Sequence, residues 1–201
     1  MTRLTALVVL LAAPAALIAD EFTDDVKRLI AIVGLHAGQT IADIGAGHGE
    51  LTIALATHVG SSGRVFATEI DPVSRDYIRQ TTADAGLQHV TVLEAAPART
   101  NLPPGCCDLI VVRFVYHHFS EPRAMNRSLL ESLKPGGHLA IIDFPPRSGP
   151  TATAEKRAAN ESHGVDTDTV SRELSAVGFE RISVTPGDDR AGYLIVMRRP
   201  D

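Results

Sequence analysis

The sequence predicts an α/β protein built on an open, mostly parallel β-sheet with helices on both faces. Three observations carry this. The segments 41–44, 107–114 and 138–144 are nearly continuous apolar runs, the pattern of strands covered on both sides. Strand-like and helix-like patterns alternate along the chain, as crossover connections between parallel strands require. A glycine-rich stretch, "GAGHG" from Gly45 to Gly49, follows the first apolar run directly. The 201 residues suffice for one domain with a full core, and 44% hydrophobic with 21% charged residues is ordinary for a globular chain.

In order, residues 1–19 stand apart. Arg3 precedes an apolar run from Leu4 to Ala19, broken by Thr5 and Pro14, and acidic residues begin at Asp20. That layout reads as a signal peptide or N-terminal anchor, with export or membrane anchoring expected and a cytoplasmic location as the alternative. The domain proper is then 20–201. In "FTDDVKRLIAIVGLHAGQ", Val26, Leu29, Ile30 and Val33 form an apolar helical face, with Thr23 or Asp24 as candidate cap. Gly38 breaks the chain before the strand "TIADI". "LTIALATHV" predicts a helix and "RVFATEI" a strand. "PVSRDYIRQTTADAG" predicts a helix with Pro72 in its first turn and Gly86 past its end. "VTVLEA" and "CDLIVVRF" predict strands. "EPRAMNRSLLESLKPGG" predicts a helix with Met125, Leu129, Leu130 and Leu133 inward, stopped by Pro135 and two glycines before the strand "HLAIIDF". Residues 145–166 predict a loop with a short helix. "DTDTVSRELSAVGF" predicts a last helix, and "ERISVTPG" with "GYLIVMRR" an antiparallel hairpin around Pro186–Asp189.

Net charge is -5 and the basic residues are scattered, which argues against a nucleic-acid partner. The only two cysteines, Cys106 and Cys107, are adjacent. Neighbours rarely meet disulfide geometry, so no staple is expected there. Cys107 reads as a core residue and Cys106 as a loop residue.

Glycines after a strand permit positive φ and let a ligand rest against bare backbone, while the following helix offers unpaired N–H groups. Open parallel sheets bind ligands beyond the carboxyl ends of their strands. A dinucleotide fingerprint would place its third glycine at position 50; that residue is Glu50, and a carboxylate is a poor neighbour for a pyrophosphate. The expected ligand lacks phosphates. Glu69, ending the second strand, is placed to accept from both hydroxyls of a ribose. Asp43, just before the glycines, is placed to face an ammonium group. Two carboxylates around a glycine loop fit an adenosine bearing an amino acid.

The segments "IADIGAGHGELT", "RVFATEID", "CDLIVVRFVYHHF" and "SLKPGGHLAIIDF", in that order, resemble the successive motifs of class I S-adenosylmethionine-dependent methyltransferases, from about residue 25 to the C-terminus. The leader, "VYHHF" and the late "ELSAVGF" further resemble a bacterial subgroup of exported or anchored, small-molecule-methyltransferase-like members. The family resemblance implies a Rossmann-like, seven-stranded sheet with one antiparallel strand, and S-adenosyl-L-methionine as cofactor. It also implies that Asp43 and the backbone of Gly45, Ala46, Gly47 and Gly49 hold the methionine part, Glu69 the ribose, and Ile70 the adenine. Where the family often has an acid near the adenine, this chain has Ala95 and Ala96, so Ala96 enters the expected cofactor set through its backbone, with Glu94 as a shifted alternative. Arg113 joins that set from the end of the fourth strand. His48 is placed at the rim of the pocket.

Transfer from a sulfonium needs an aligned acceptor and, for weak nucleophiles, a base. Imidazoles titrate near neutrality, so His117 and His118 are candidate bases, with Tyr116 lining the site. Asp143, ending the fifth strand, is placed to orient the neighbouring loop or face the acceptor. No metal is expected, because adjacent histidines do not face each other. His163 falls in "NESHGVD", a plain surface position or part of a lid segment. The expected partner is a small-molecule methyl acceptor, with transient membrane contact through the leader and no oligomeric state legible. Two other readings are a non-catalytic relative that binds the nucleoside, and a nicotinamide-dependent oxidoreductase, which Glu50 disfavours.

Overall fold

The computed structural model describes residues 15–159, 164–187 and 192–201, with side chains from Phe22 onward. Seven strands form one sheet: β1 (Thr40–Ile44), β2 (Arg64–Glu69), β3 (Val90–Glu94), β4 (Cys107–Arg113), β5 (Leu133–Asp143), β6 (Glu180–Thr185) and β7 (Tyr193–Arg198). Their spatial order is β3-β2-β1-β4-β5-β7-β6. Pairing is parallel from β3 through β5, and β7 runs antiparallel to both β5 and β6. The mostly parallel sheet with one reversed strand is therefore the observed architecture. Chain order reverses between β1 and β4, which opens a crevice at their carboxyl ends.

Burial explains the apolar runs. Ile110, Val112 and Leu139 face a core completed by α4 (Pro122–Ser132) and α6 (Thr167–Ser175). Leu109, Val111 and Ala140 face the opposite core, completed by α1 (Ala15–Val33) and α2 (Glu50–Val59). α3 (Pro72–Asp84) covers β2 and β3. It starts where expected: Pro72 occupies the first turn, and the Asp71 carboxylate accepts from Ser74 N–H at 2.7 Å. A short α5 (Ala154–Ala158) interrupts the loop after β5.

Four expectations change. First, neither Thr23 nor Asp24 caps α1, because both lie inside it. Phe22, Val26, Leu29 and Val33 continue one inward stripe, so the helix passes through the acidic residues. Ala15–Ala19 of the expected leader fall in this helix, and residues 1–14 lie outside the described residues. No helix among the described residues is long and apolar enough to cross a membrane. Second, α4 stops at Ser132, and Leu133 through Gly137 belong to β5. A register shift in the β4–β5 pairing between Cys107 and Leu109 accommodates the Pro-Gly-Gly run inside the strand. Third, Cys106 and Cys107 are joined as a vicinal disulfide at the start of β4, against the expectation that they stay apart. Gly105, at φ +60°, turns the chain just before the pair, and the register shift follows it. Fourth, α6 is shorter than the 166–179 pattern suggested; Asp166 caps it by accepting from Thr169 N–H at 2.7 Å. The tip of the β6–β7 hairpin from Asp188 and the expected lid residue His163 lie outside the described residues.

Candidate active site

The glycine stretch forms a tight loop from the end of β1 to the start of α2. Gly45 and Ala46 both donate to Thr68 O on β2, at 2.8 and 3.0 Å. Gly45, Gly47 and Gly49 have φ of +69°, +56° and +88°, backbone that side-chain-bearing residues rarely adopt. A Cβ on Gly45 would lie 2.6 Å from a methyl of Val115, so the loop packs bare against the segment following β4. At Gly47, by contrast, a Cβ would meet nothing within 4 Å; the crest of the loop faces open space.

Two carboxylates flank this loop. Glu69, at the end of β2, accepts from Gly47 N–H at 2.9 Å through one oxygen and from Ile70 and Asp71 N–H at 2.7 and 3.0 Å through the other. It thereby fixes the crest of the loop from the neighbouring strand. Asp43 lies beneath the loop, only 2% exposed, and accepts from the Thr52 hydroxyl on α2 at 2.6 Å. Burial pushes its carboxyl up from 3.8 to about 6; the Thr52 hydrogen bond and the charge of Arg113 pull it back, while Glu69 and Glu50 raise it. A carboxyl displaced that far costs about 3 kcal/mol of stability at neutral pH. The sign follows from the raised value: the folded state binds the proton more tightly, so the loss develops as pH rises from about 4 through 6. Asp43→Asn is therefore expected to raise the unfolding midpoint at pH 8 and change it little at pH 4, which thermal melts at the two pH values check.

Ile70 is 59% exposed beside Glu69, available to a flat ring. Ala96 exchanges backbone hydrogen bonds with Arg99, at 3.1 and 3.3 Å, in a tight turn after β3. Glu94, the shifted alternative, is 3.7 Å from Arg75 of α3. His48 stands at the rim, its ring edge-on to Tyr77 at 5.5 Å.

The segment after β4 separates the three candidate catalytic residues. They form a single 3-10 turn, Tyr116–His118. Tyr116 is buried and points away: its hydroxyl donates to Glu173 on α6 at 3.0 Å and accepts from Asn126 on α4 at 2.8 Å. Glu173 in turn accepts from the buried Arg157 of α5 at 3.2 Å. Burial and the Glu173 charge hold the phenol well above its usual range. Tyr116 thus anchors the turn and does not line the site, which corrects the sequence expectation. His117, 2% exposed, turns to the end of β5, where its Nδ1 lies 2.9 Å from Asp143. The same carboxylate accepts from the backbone N–H of His117 and of Phe144, at 3.1 and 2.9 Å. His118 is exposed, with its ring centroid 4.0 Å from that of His117, and Phe144 packs on His117 from 4.8 Å.

Arg113 ends β4 as expected, and its side chain turns toward α1. Its Nε–H donates to Asp25 of α1 at 2.7 Å, and its guanidinium lies between the rings of Phe22 and Phe114, 4.5 and 4.3 Å from their centroids. Phe114 holds φ at +55°, an uncommon conformation for a bulky residue. Sequence reasoning missed Asp25, Thr52, Asn126, Arg157 and Glu173. Asp25 alone carried a signal: it sits on the apolar stripe of α1, where a carboxylate needs a partner.

An open parallel sheet with a bare glycine loop at its reversal point, flanked by carboxylates, defines a nucleoside-binding α/β protein. The comparisons narrow this. A methyltransferase-domain family matches residues 41–137. The chain is 29% identical over 112 residues to the ubiquinone/menaquinone biosynthesis C-methyltransferase UbiE of Salmonella arizonae, a match covering 55% of this chain and 45% of that protein. It thus spans about half the length of the curated relatives it matches. A solved S-adenosylmethionine-dependent methyltransferase from Aquifex aeolicus shares 26% identity with a TM-score of 0.71, covering 89% of each chain. The [4+2]-cyclase SpnF superposes with a TM-score of 0.77 at 16% identity, covering 89% of this chain and 81% of that one, and so shares the fold. The chain is thus similar to S-adenosylmethionine-dependent methyltransferases, in its domain match over residues 41–137 and in its fold.

Proposed function

We propose that this protein transfers a methyl group from S-adenosylmethionine to a small-molecule acceptor, with His117 as the base. The residues present fit that cofactor: a buried carboxylate under a bare loop, an open crest at Gly47, and a rim carboxylate beside an exposed apolar side chain. Gly45, Ala46, Gly47 and Gly49 would carry the methionine part with Asp43 beneath it, Glu69 the ribose, and Ile70 with the turn at Ala96 the adenine. When bound, the cofactor supplies a methyl group already activated by the sulfonium charge, which an aligned nucleophile takes in line.

The His117–Asp143 pair carries the catalytic reading. Asp143 accepts the Nδ1 hydrogen and so fixes Nε2 as the basic nitrogen of the neutral ring. As Nε2 takes up the acceptor's proton, Asp143 stabilises the imidazolium. A base of this kind serves an oxygen or carbon acid that must be deprotonated to attack. A C-methyltransferase among the relatives is in keeping with such acceptors. Phe144 packs against the His117 ring and supplies an apolar wall there. Beside this pair, Val165 N–H donates to Phe144 O at 2.9 Å, and the Thr151 hydroxyl bonds the Asp166 carboxylate. The leader belongs to the same reading, placing the enzyme outside the cytoplasm or at a membrane surface.

Glu69→Ala is the direct test of the cofactor assignment. Calorimetric titration is expected to show S-adenosylmethionine affinity lowered about tenfold or more, since a charge-assisted contact contributes about 1.5–3 kcal/mol and the loop loses its tether to β2. Wild-type affinity in this variant would remove Glu69 from the site. Incubating the enzyme with methyl-labelled cofactor and a metabolite extract identifies the acceptor by its label. If no small molecule acquires the label while S-adenosylmethionine binds, the proposed acceptor class is wrong.

A further inference from the structure

α1 buries a carboxylate in the middle of its apolar stripe. Asp25 is 2% exposed and lies one turn from Phe22 and Leu29, where packing alone would favour a hydrophobic residue. Its carboxylate takes Nε–H of Arg113 at 2.7 Å and a guanidinium hydrogen of Arg28 at 3.0 Å. Arg28 also donates to Gly192 O, at 3.3 Å, just before β7. Buried ion pairs add little stability over well-packed apolar groups of similar size, and replacing both partners is often neutral or stabilising. The position of this pair is therefore informative. Arg113 ends β4 on the sheet face that carries Asp43, and the two strands are adjacent.

Resting on the cofactor assignment above, we infer that Asp25 and Arg113 are positioning residues that couple the N-terminal helix to the cofactor site. Asp25 and the rings of Phe22 and Phe114 hold the guanidinium at the end of β4, and its charge acts on the buried carboxylate beneath the glycine loop. An ionised Asp43 is what an ammonium group needs. Four charged or polar groups bear on that carboxylate: Thr52 and Glu50 of α2, Glu69 of β2 and Arg113 of β4. Arg113 is the one cation among them. Without it, Asp43 holds its proton to higher pH, and the ammonium meets a neutral partner over a wider range. α1 thus acts as a strap whose docking supports cofactor affinity, and Phe22, Asp25 and Arg28 all lie beyond the expected cleavage point at Ala19.

The double variant Asp25→Leu/Arg113→Met removes both charges of the buried pair, while Arg28 keeps its bond to Gly192 O and its access to solvent. Its thermal midpoint is expected to match the wild type within a few degrees. Its S-adenosylmethionine affinity at pH 6.5 is expected to fall at least tenfold, with the pH midpoint of binding displaced upward and part of the loss recovered at pH 8.5. Hydrogen exchange in α1, slowed by the cofactor in the wild type, is expected to lose that response. A folded double variant with wild-type affinity and an unchanged midpoint overturns the inference. Should the double variant fail to fold, Arg113→Lys decides: it keeps the charge but loses the Nε contact and the stacking between two rings. Weaker cofactor binding with faster exchange in α1 supports the coupling, and wild-type values of both refute it. Failure of the wild type itself to bind S-adenosylmethionine would instead indict the cofactor assignment.

Discussion

His117→Asn is expected to lower kcat by about 10²–10⁴, the usual contribution of a positioned general base, while S-adenosylmethionine affinity stays at the wild-type value. The argument is geometric. His117 sits in the 3-10 turn after β4 with its Nδ1 edge on Asp143, whereas the glycine loop is held by Thr68 and Glu69. Asparagine preserves a donor toward Asp143 and so keeps that buried carboxylate partnered, but it has no basic nitrogen. Asp143→Asn provides the complementary measurement. The carboxylate accepts three hydrogen bonds, from two backbone N–H groups and one ring nitrogen. An amide must present its NH2 to at least one of them, which favours the other tautomer of His117 and removes the negative charge behind the imidazolium. Its effect on kcat is expected to approach that of His117→Asn, as in hydrolases where a carboxylate orients a histidine. Single-turnover rates with the identified acceptor, read beside calorimetric cofactor affinities, separate the two roles. A loss confined to cofactor affinity would place His117 in the nucleoside pocket instead.

The sequence was most legible where chemistry and backbone geometry coincide. The glycine spacing, Glu50 in place of a third glycine, and acids at the ends of β1 and β2 pointed to a nucleoside without phosphates. The structure places Asp43, the loop and Glu69 together at the sheet's reversal point. Periodicity found all seven strands. β1, β4, β5 and β7 are covered on both faces and leave near-unbroken apolar runs, whereas β3 and β6 are partly or largely exposed and were found by alternation with helices and turns. It misjudged the start of β5, since "LKPGG" has the composition of a helix end and its pairing with β4 is set by a register shift that no local pattern encodes. Side-chain direction after β4 was the least legible. Three consecutive residues of one 3-10 turn point three ways: Tyr116 into the α4–α6 side, His117 to β5, and His118 outward. Their partners, Glu173, Asn126 and Asp143, lie 57, 10 and 26 residues along the chain, so only tertiary packing decides among them. Arg113 illustrates the same limit. Its place at the end of β4 was readable, but its engagement by Asp25, 88 residues earlier, was not.

Gly45→Ala is expected to damage the protein far more than Gly47→Ala, although both glycines hold positive φ in the same loop. At Gly47, φ is +56° and the new methyl group would enter open space, so the cost is the backbone strain alone, about 1–2 kcal/mol. At Gly45, φ is +69° and the methyl would come within 2.6 and 2.8 Å of the two Val115 methyl carbons. Val115 is β-branched and stiff at χ1, so it cannot rotate clear without displacing the start of the Tyr116–His118 turn. Overpacking of this kind adds about 1–3 kcal/mol to the strain, giving about 2–5 kcal/mol in all. For a chain of this length each kcal/mol moves the unfolding midpoint by about 2–4 °C. The displaced turn is the one that carries His117, so the variant is expected to lose both cofactor affinity and turnover, whereas Gly47→Ala perturbs the cofactor contact and leaves the His117–Asp143 pair in place. Val115→Ala supplies the control: combined with Gly45→Ala it removes the two clashing methyl groups and is expected to restore part of the stability while the φ strain remains. If the combined variant is no more stable than Gly45→Ala alone, contact with Val115 is not what demands a glycine there.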